Sequence, residues 1–402
     1  MAAPLPPVPV TIVTGFLGAG KSTLLNYILT ERHGLRIAVI ENEFSEDVGI
    51  ESLILKNGLG GKGSEDFFEL SNGCLCCTMR DDLVATLDRL MAQRHRFDYV
   101  LIETSGLADP GPVAAAFWAD SGESLVLDGI VCVADGGRIA GQVGEARAPG
   151  TVNEAARQVA YADVVLLNKE DTLAPEALAG ARGCVGVINA AAKILTATRC
   201  RVDLAELLHL GALSPLRAQL GGLEAALPQV GGGSTSCSSS CCSPSSGSGC
   251  TAPHHTHQHA HDSGISTVLL RCGAVSREAF RLWVASLLWV EEGEGERGGS
   301  GGGGGSGAGG QRILRGKGVL ALGKGREEGA AGGVERRKTI FQSVEEFFDV
   351  EEAQEGSEGA EWGVEEAAES RVILIGWKLD KGALQRGLLQ CQAAPASPGA
   401  SL

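Results

Sequence analysis

The sequence has no long apolar run, no basic N-terminal segment and no excess of positive charge. Nowhere in its 402 residues does it approach the ~18 consecutive apolar residues of a membrane-spanning helix. No Lys or Arg precedes Lys21, so the basic start of a secretory signal is missing. The formal net charge of −15 argues against a surface built for nucleic acid or anionic lipid. We therefore expect a cytoplasmic or nuclear protein whose partners include neither nucleic acid nor a membrane.

Aromatic residues are also scarce, at 4% of the chain, whereas glycine, with 58 residues, is roughly twice as frequent as in average proteins. Twelve of these glycines lie in residues 293–311, and serine and cysteine dominate residues 234–250. Both compositions are typical of flexible insertions. Without a secretory signal the twelve cysteines are expected to stay reduced, so we expect them to bind metal or to pack.

Short apolar runs alternate with amphipathic stretches in the first half of the chain, which is typical of strands joined by crossover helices in a mostly parallel sheet. The pattern predicts a helix from Lys21 and an α/β domain over residues 8–205. The strands predicted in this domain cover residues 8–14, 36–43, 97–104, 129–134, 163–168 and 185–189.

Periodicity weakens after residue 205 and returns at residue 265, which predicts a linker over residues 206–264. A smaller α+β domain is predicted over residues 265–392, with the Gly-rich insertion inside it. Its predicted elements are strands at 265–271 and 371–377, a helix at 277–290 and a short terminal helix, and two further ordered segments are expected at 312–322 and 339–348.

A phosphate-binding loop directly follows the first predicted strand. The segment Gly15-Phe16-Leu17-Gly18-Ala19-Gly20-Lys21-Ser22 matches G-x-x-x-x-G-K-[ST] between a strand and a helix. Its glycines let backbone N–H groups point at one anion, Lys21 reaches the outer phosphates, and Ser22 can ligate Mg²⁺. We therefore predict a P-loop NTPase fold with Lys21 in a catalytic role. The predicted nucleotide-binding residues are Gly15, Gly18, Ala19, Gly20, Lys21, Ser22 and Thr23.

The choice of base is indicated by Asn168-Lys169-Glu170-Asp171, which ends another predicted strand. A carboxylate at Asp171 can accept both the ring N–H and the exocyclic amine of guanine, a paired contact that adenine does not offer. This N-K-x-D pattern predicts GTP, bound by Asn168, Lys169 and Asp171. An ordinary capped strand end and a P-loop kinase are the alternatives, and a kinase leaves N-K-x-D unexplained.

The segment Glu103-Thr104-Ser105-Gly106 closes the predicted strand at residues 97–104. Glu103 can hold Mg²⁺ or its water and is predicted to be catalytic, while Gly106 lets the backbone approach the γ-phosphate. Such a loop can reorder when the nucleotide is hydrolysed. We expect slow intrinsic turnover, because no Gln or Arg can be nominated from the sequence to position water or act as an arginine finger.

The segment Asn72-Gly73-Cys74-Leu75-Cys76-Cys77 places three thiols within four residues. Thiolates favour Zn²⁺ and other borderline or soft ions, and these three can converge on one ion if the backbone turns. A fourth ligand must come from elsewhere, and Glu41 and Glu43 at a strand end are candidates. Buried structural cysteines or a redox pair are the alternatives. The predicted zinc ligands are Cys74, Cys76, Cys77 and Glu41.

Five of the eight histidines lie within residues 254–261. Imidazoles at this spacing chelate Zn²⁺, Ni²⁺ or Co²⁺ weakly and exchangeably. Both a metal-gathering tract and a disordered segment with incidental affinity stay open, and catalysis is not expected to depend on it.

Four motifs, the phosphate loop, C-x-C-C, E-T-S-G and N-K-x-D, occur here in this order. Together they resemble the CobW-type P-loop GTPases, relatives of the urease and hydrogenase nickel-insertion GTPases, and especially the eukaryotic zinc-regulated GTPase metalloprotein activators. The likeness extends into the second half through Arg315-Gly316-Lys317-Gly318, Phe341-Gln342-Ser343-Val344 and Ile375-Gly376-Trp377-Lys378-Leu379-Asp380.

The resemblance implies a GTPase that binds zinc, or a related ion, at the C-x-C-C motif and hands it to a client apo-metalloenzyme. It implies GTP, Mg²⁺ and Zn²⁺ as cofactors and a CobW-like C-terminal domain. A methionine aminopeptidase is one candidate client, although residues 1–10 lack the short Cys-Pro-containing docking extension of the animal members. Two alternatives stay open: a non-catalytic zinc buffer, and a metal-insertion GTPase for cobalt, cobalamin or a nitrile hydratase-type client.

Overall fold

The structure is a computed structural model in which two β-sheets are stacked on a shared layer of helices. It describes residues 6–41, 50–57, 66–71, 87–119, 124–145, 147, 151–212, 264–289, 310–323, 334–353, 360–363 and 367–393. No helix in these ranges is both long and apolar enough to cross a bilayer.

The first sheet, which with its helices we call the N-terminal unit, has eight strands in the order β4-β3-β2-β5-β1-β6-β7-β8. Strands β2, β5, β1, β6, β7 and β8 are mutually parallel, and β3 and β4 extend the β2 edge as antiparallel strands. The carboxyl ends of the parallel strands therefore meet at one edge, where open α/β sheets bind ligands. The elements are β1 Val8–Thr14, α1 Lys21–Thr30, β2 Arg36–Glu41, β3 Ile50–Asn57, β4 Asp66–Ser71, β5 Tyr99–Glu103, α2 Pro110–Ala119, β6 Leu125–Asp135, α3 Ile139–Val143, α4 Glu154–Tyr161, β7 Val164–Asn168, α5 Pro175–Ile188 and β8 Lys193–Ala197.

This arrangement confirms the predicted P-loop NTPase class with a mostly parallel sheet, but one predicted strand is wrong. Residues 185–189 form the end of helix α5 and its cap, and the strand that follows is β8. A short apolar run does not by itself distinguish a strand from a buried helix. The helical spacing of the buried residues Ala181, Cys184, Val185 and Ile188 decides in favour of the helix. Strands β3 and β4 were not predicted.

The second sheet and its two helices form the C-terminal unit, with five antiparallel strands in the order β12-β11-β10-β13-β9. The ordered segment expected at residues 339–348 falls in two strands, because the chain turns at Glu345, whose φ is 50°. The elements are β9 Ile265–Cys272, α6 Arg277–Leu288, β10 Arg312–Leu320, β11 Thr339–Val344, β12 Phe347–Glu352, β13 Ser370–Trp377 and α7 Lys381–Gln390.

Both faces of the second sheet are apolar because each face packs on a different helix layer. In β13 the alternate residues Val372 and Leu374 lie in a core with Phe280 of α6 and Leu384 of α7. The intervening Ile373 and Ile375 join the core of the N-terminal unit. One hydrophobic core thus runs from the first sheet, through α2, α4 and α5, to the second sheet, while α1 covers the opposite face of the first sheet.

A buried ion cluster crosses this contact between the two units. Asp163, at the start of β7, pairs with Arg315 and Lys317 of β10 and accepts a hydrogen bond of 2.9 Å from the Ile130 N–H. Arg315 also donates to the Tyr161 carbonyl at the end of α4. Burial opposes the charge on Asp163, but the two cations outweigh it and lower the pKa of this carboxyl.

We expect Asp163→Asn to lower the free energy of unfolding by about 3–5 kcal/mol, because it leaves the buried Arg315 and the partly buried Lys317 without a counter-charge. Chemical denaturation checks this. The matched control is Asp98→Asn in the surface pair with Arg36, whose aspartate side chain is 39% exposed. That variant should lose less than ~1 kcal/mol. Equal losses in the two variants would contradict a stabilising role for the buried cluster.

The same carboxyl gives a pH dependence with a defined sign. Because its folded pKa is depressed, its contribution is present above the unfolded value of ~3.9 and is lost as the pH falls through the folded pKa. The Asp163→Asn variant should lack this part of the acid destabilisation.

Candidate nucleotide-binding site

The phosphate loop joins the carboxyl end of β1 to the first turn of α1, as the sequence predicts. Gly20 caps α1 with φ 117°, a left-handed conformation that favours glycine. A Cβ atom added to Gly20 would also lie 2.5 Å from the side-chain nitrogen of Asn168. Glycine is therefore required at this position for both backbone conformation and space.

Lys21 is held inside the loop and is 9% exposed. Its Nζ donates a hydrogen bond of 2.9 Å to the Gly15 carbonyl, which folds the side chain back over the loop. Burial lowers the pKa of Lys21, and the nearby Glu103 carboxylate acts in the opposite direction. The loop thus concentrates a cation and backbone N–H groups at one helix N-terminus, an arrangement suited to phosphate oxygens.

The predicted magnesium ligands lie on adjacent elements. Ser22 Oγ, at the start of α1, donates to Glu103 Oε1 at the end of β5 across 3.5 Å. The next residue, Thr104, is tied to β1 because its hydroxyl donates to Thr14 Oγ1 at 2.9 Å and its N–H to the Val13 carbonyl at 3.0 Å. A hydroxyl and a carboxylate oxygen are hard donors, and this set fits Mg²⁺ with its remaining positions on water and phosphate.

The N-K-x-D segment contacts the phosphate loop directly. Asn168 Nδ2 donates to the Ala19 carbonyl at 3.0 Å, and its Oδ1 accepts from the Cys200 N–H at 2.9 Å. Lys169, at φ 66°, donates from Nζ to the Gly18 carbonyl at 2.8 Å and pairs with Asp135 at 2.7 Å. The phosphate-binding and base-binding segments therefore form one hydrogen-bonded network.

Asp171 lies in a 3₁₀ turn, Glu170–Thr172, directly after β7 and is exposed at the same edge of the sheet. Its carboxylate is accessible for the paired contact with guanine. Thr23, the last predicted residue of the loop, is exposed on the first turn of α1. The structure thus brings the phosphate-loop residues, Glu103, Gly106 and N-K-x-D to a single edge.

Residues 104–109, which follow β5 and which we call the switch loop, lie against the phosphate loop. A Cβ added to Gly106 would lie 2.4 Å from the Leu17 side chain, so only glycine fits there. Gln158 of α4 donates from Nε2 to the carbonyls of Gly106 and Ala108, each at 3.1 Å. The side chain of Asp109 pairs with Arg157 of the same helix.

Three residues that contact the site were missed by sequence reasoning: Asp135, Gln158 and Cys200. Asp135 ends β6, so its place at a strand end was a signal that could have found it. Gln158 and Cys200 belong to no motif, and only the folded chain brings them to the site. Cys200 also has a left-handed backbone, with φ 57°, and its thiol donates to the Gly20 carbonyl at 3.4 Å.

The three predicted zinc-binding cysteines, Cys74, Cys76 and Cys77, lie outside the described residues. Glu41, their predicted companion, is the last residue of β2, and its backbone is in register with Glu103 of β5. The described ranges hold no group of three or more His, Cys, Asp or Glu side chains placed to bind a metal.

The five cysteines that the structure does describe are poor metal ligands. All are buried, and burial raises the pKa of each thiol, to about 12 for Cys132 and about 11 for Cys200 and Cys272. These thiols stay protonated at neutral pH, whereas metals bind thiolates. The full set is Cys132, Cys184, Cys200, Cys272 and Cys391.

A phosphate loop hydrogen-bonded to N-K-x-D at the carboxyl edge of a parallel sheet defines a P-loop protein that binds guanine nucleotides. Comparison with known protein families identifies the family within this class. The CobW/HypB/UreG nucleotide-binding domain matches residues 9–196, and the cobalamin synthesis protein CobW C-terminal domain matches residues 266–392. The chain belongs to the CobW family.

Individual relatives agree with this assignment. The chain is 34% identical over 389 residues to zinc-regulated GTPase metalloprotein activator 1 of Schizosaccharomyces pombe, across 94% of this chain and 84% of the relative. It is 42% identical over 231 residues to zinc chaperone CobW of Pseudomonas aeruginosa, across 52% of this chain and 61% of that protein.

A solved structure shows the same overall fold. The crystal structure of zinc(II)-bound YjiA GTPase from Escherichia coli matches with a TM-score of 0.59 and 25% identity, over 97% of this chain and all of that one (100%). Together these findings confirm the expected class, a CobW-type GTPase metallochaperone, and its fold.

We expect Asn168→Ala to lower the free energy of unfolding by about 1–3 kcal/mol, because it leaves the Ala19 carbonyl and the Cys200 N–H without their partner. Thermal or chemical unfolding of the nucleotide-free protein checks this. Asn26→Ala on the exposed face of α1 is the matched control and should change stability by less than ~0.5 kcal/mol. Equal stability of the two variants would show that the network does not hold the site together.

Proposed function

We propose that this protein binds GTP with Mg²⁺ at the phosphate loop and hydrolyses it slowly. The GTP cycle would control zinc binding at Cys74, Cys76, Cys77 and Glu41. Zinc would then be released to a client apo-metalloenzyme. The nucleotide-binding domain would span residues 8–205 and the C-terminal domain residues 265–392. The proposal also requires a reducing compartment such as the cytoplasm, because oxidised cysteines do not bind zinc.

The register between β2 and β5 is the observation that supports this proposal most directly. Glu41 and Glu103 are in register at the ends of these two parallel strands, with their backbones about 5 Å apart across the sheet. Glu103 faces the magnesium side of the site through Ser22. Zinc held by Glu41 would therefore be only one strand away from Glu103, which would hold the magnesium ion beside the γ-phosphate.

The short distance along the chain from β4 to Cys74 supports a zinc site near the same edge. Strand β4 runs in the same direction as β2, with β3 between them, and ends at Ser71. Two strand spacings, roughly 10 Å, separate β4 from β2. Cys74 follows Ser71 by three residues, which span at most ~10 Å. The thiols can therefore reach the end of β2 without any rearrangement of the sheet.

Each residue on the nucleotide side has a defined task. The loop N–H groups and Lys21 would bind the phosphates, Ser22 and Glu103 would hold the ion, and Asp171 would select guanine. Bound magnesium would supply positive charge that neutralises the phosphate oxygens as the terminal bond breaks. The switch loop, through Gly106, would sense whether the γ-phosphate is present.

The nucleotide preference is tested by changing Asp171. Asp171→Ala should weaken GTP binding roughly 100-fold, because two hydrogen bonds to a charged group are lost, and should leave ATP binding unchanged. Asp171→Asn should gain affinity for xanthosine triphosphate, whose 2-carbonyl can accept from the new amide. Binding is measured by calorimetry. Glu170→Ala, one position away, is the control and should bind GTP like the wild type.

The metal cycle is tested by titrating zinc into the protein with a non-hydrolysable GTP analogue or with GDP. We expect zinc affinity to differ about 5- to 150-fold between the two states, which corresponds to a coupling of ~1–3 kcal/mol. Affinity should also fall as the pH is lowered, because the thiols must lose protons to bind.

Two triple variants distinguish the motif from the other cysteines. Replacing Cys74, Cys76 and Cys77 with Ser should abolish the nucleotide-dependent zinc site. Replacing Cys237, Cys241 and Cys242, in the Ser-rich stretch, should preserve it. Equal affinity in the GTP and GDP states would contradict the proposed coupling, and loss of the site in the second variant alone would move it to the Ser-rich stretch.

A further inference from the structure

Gln158 is a polar residue that the proposed chemistry has not used, although it is 1% exposed and touches the nucleotide site's switch loop. Both hydrogens of its amide go to that loop, one to the Gly106 carbonyl and one to the Ala108 carbonyl, each across 3.1 Å. Both bonds end on backbone carbonyls of the loop, so Gln158 is placed to act on the position of the loop backbone.

The other half of the amide has no partner. Gln158 Oε1 and the neighbouring Arg157 Nε are buried without a hydrogen-bond partner among the described residues. A buried polar atom left unpaired costs free energy. A small movement of the switch loop that turned one of its N–H groups toward Oε1 would remove this cost. The amide of Gln158 can therefore form hydrogen bonds with two arrangements of the switch loop.

Two residues of the same helix, Arg157 and Tyr161, contact the C-terminal unit. Arg157 pairs with Asp109 of the switch loop and lies over the Trp377 ring of β13, 4.5 Å from its centroid. Tyr161, one turn further along α4, donates its hydroxyl to Glu345 at the β11–β12 turn. Helix α4 thus has the switch loop on one side and the second sheet on the other.

We propose that Gln158 is a positioning residue for GTP hydrolysis, which holds the backbone of the switch loop in place at Gly106 and Ala108. The position of Gln158 itself would depend on the contacts between helix α4 and the C-terminal unit. The inference rests on the proposed GTPase function and identifies how its rate is controlled. The Gly106 backbone lies against the phosphate loop at Leu17, so its position decides how the loop meets the γ-phosphate. Docking of the second sheet on Arg157 and Tyr161 would keep α4, and hence Gln158, in place.

Steady-state hydrolysis of GTP by Gln158→Met tests the positioning role. Methionine keeps the length and burial of the side chain but loses both donors. We expect kcat to fall roughly 10- to 30-fold, from the loss of two neutral hydrogen bonds. KM for GTP and Kd for GDP should change less than ~3-fold, because the phosphate loop and N-K-x-D are untouched. A merely structural defect would instead weaken nucleotide binding and lower Tm.

Gln142→Met is the matched control for this substitution. Gln142 is also a partly buried glutamine of the N-terminal unit with an unpaired Oε1, but none of its described contacts reaches the switch loop. Its kcat should equal that of the wild type.

A second variant, in the C-terminal unit, tests the link and does not depend on Gln158→Met folding. Trp377→Leu removes the ring beneath Arg157 and should lower kcat roughly 3- to 10-fold with GDP affinity retained. Trp289→Leu is its control, because Trp289 is 61% exposed on the same unit and contacts Glu346 and Phe348. In the double variant of Trp377→Leu with Gln158→Met, the two reductions in kcat should not multiply, because both substitutions act through the switch loop.

The outcomes separate this inference from the function on which it rests. A wild-type protein that does not hydrolyse GTP would overturn the proposed function itself. If the wild type turns over GTP and Gln158→Met, folded, has the same kcat, the positioning role is wrong. If Trp377→Leu behaves like Trp289→Leu, or multiplies with Gln158→Met, the C-terminal unit does not act through this residue.

Discussion

The side-chain amide of Asn168 is the interaction on which the nucleotide site depends. It donates to the phosphate loop at Ala19 and accepts from Cys200, so one group holds the phosphate-binding and base-binding segments at a set separation. The contact is possible only because Gly20 has no side chain to occupy the space beside the amide. The site is therefore largely organised before nucleotide arrives, which lowers the entropy lost on binding.

A second constraint follows from the stacking of the two sheets on one helix layer. Helices α2, α4 and α5 cover one face of the first sheet and are in turn covered by the second sheet, so they cannot move without disturbing one or the other. The ion cluster of Asp163, Arg315 and Lys317 crosses this contact, and separating the two units would leave its charges without their partners. A change at the nucleotide edge can therefore reach the C-terminal unit through packed side chains.

Contiguous features of the fold and site were predicted well, and discontinuous ones were not. The parallel strands and the phosphate loop follow from runs of adjacent residues. The strand expected at residues 185–189 was wrong because a run of three apolar residues and one glycine fits a buried helix equally well. The longer helical spacing from Ala181 onward outweighs this local run. Asp135, Gln158 and Cys200 were missed because each acts on a partner far away in sequence.

The sequence by itself determined the phosphate loop and the N-K-x-D segment and predicted a zinc site at three thiols, because each pattern is encoded by neighbouring residues whose spacing is set by the backbone. Only the tertiary structure decided that Glu41 and Glu103 end side by side, that Asn168 bridges two loops, and that α4 touches both the switch loop and the second sheet. These contacts depend on strand order and on which helix face is covered. Both result from packing the whole chain, and no local pattern specifies them.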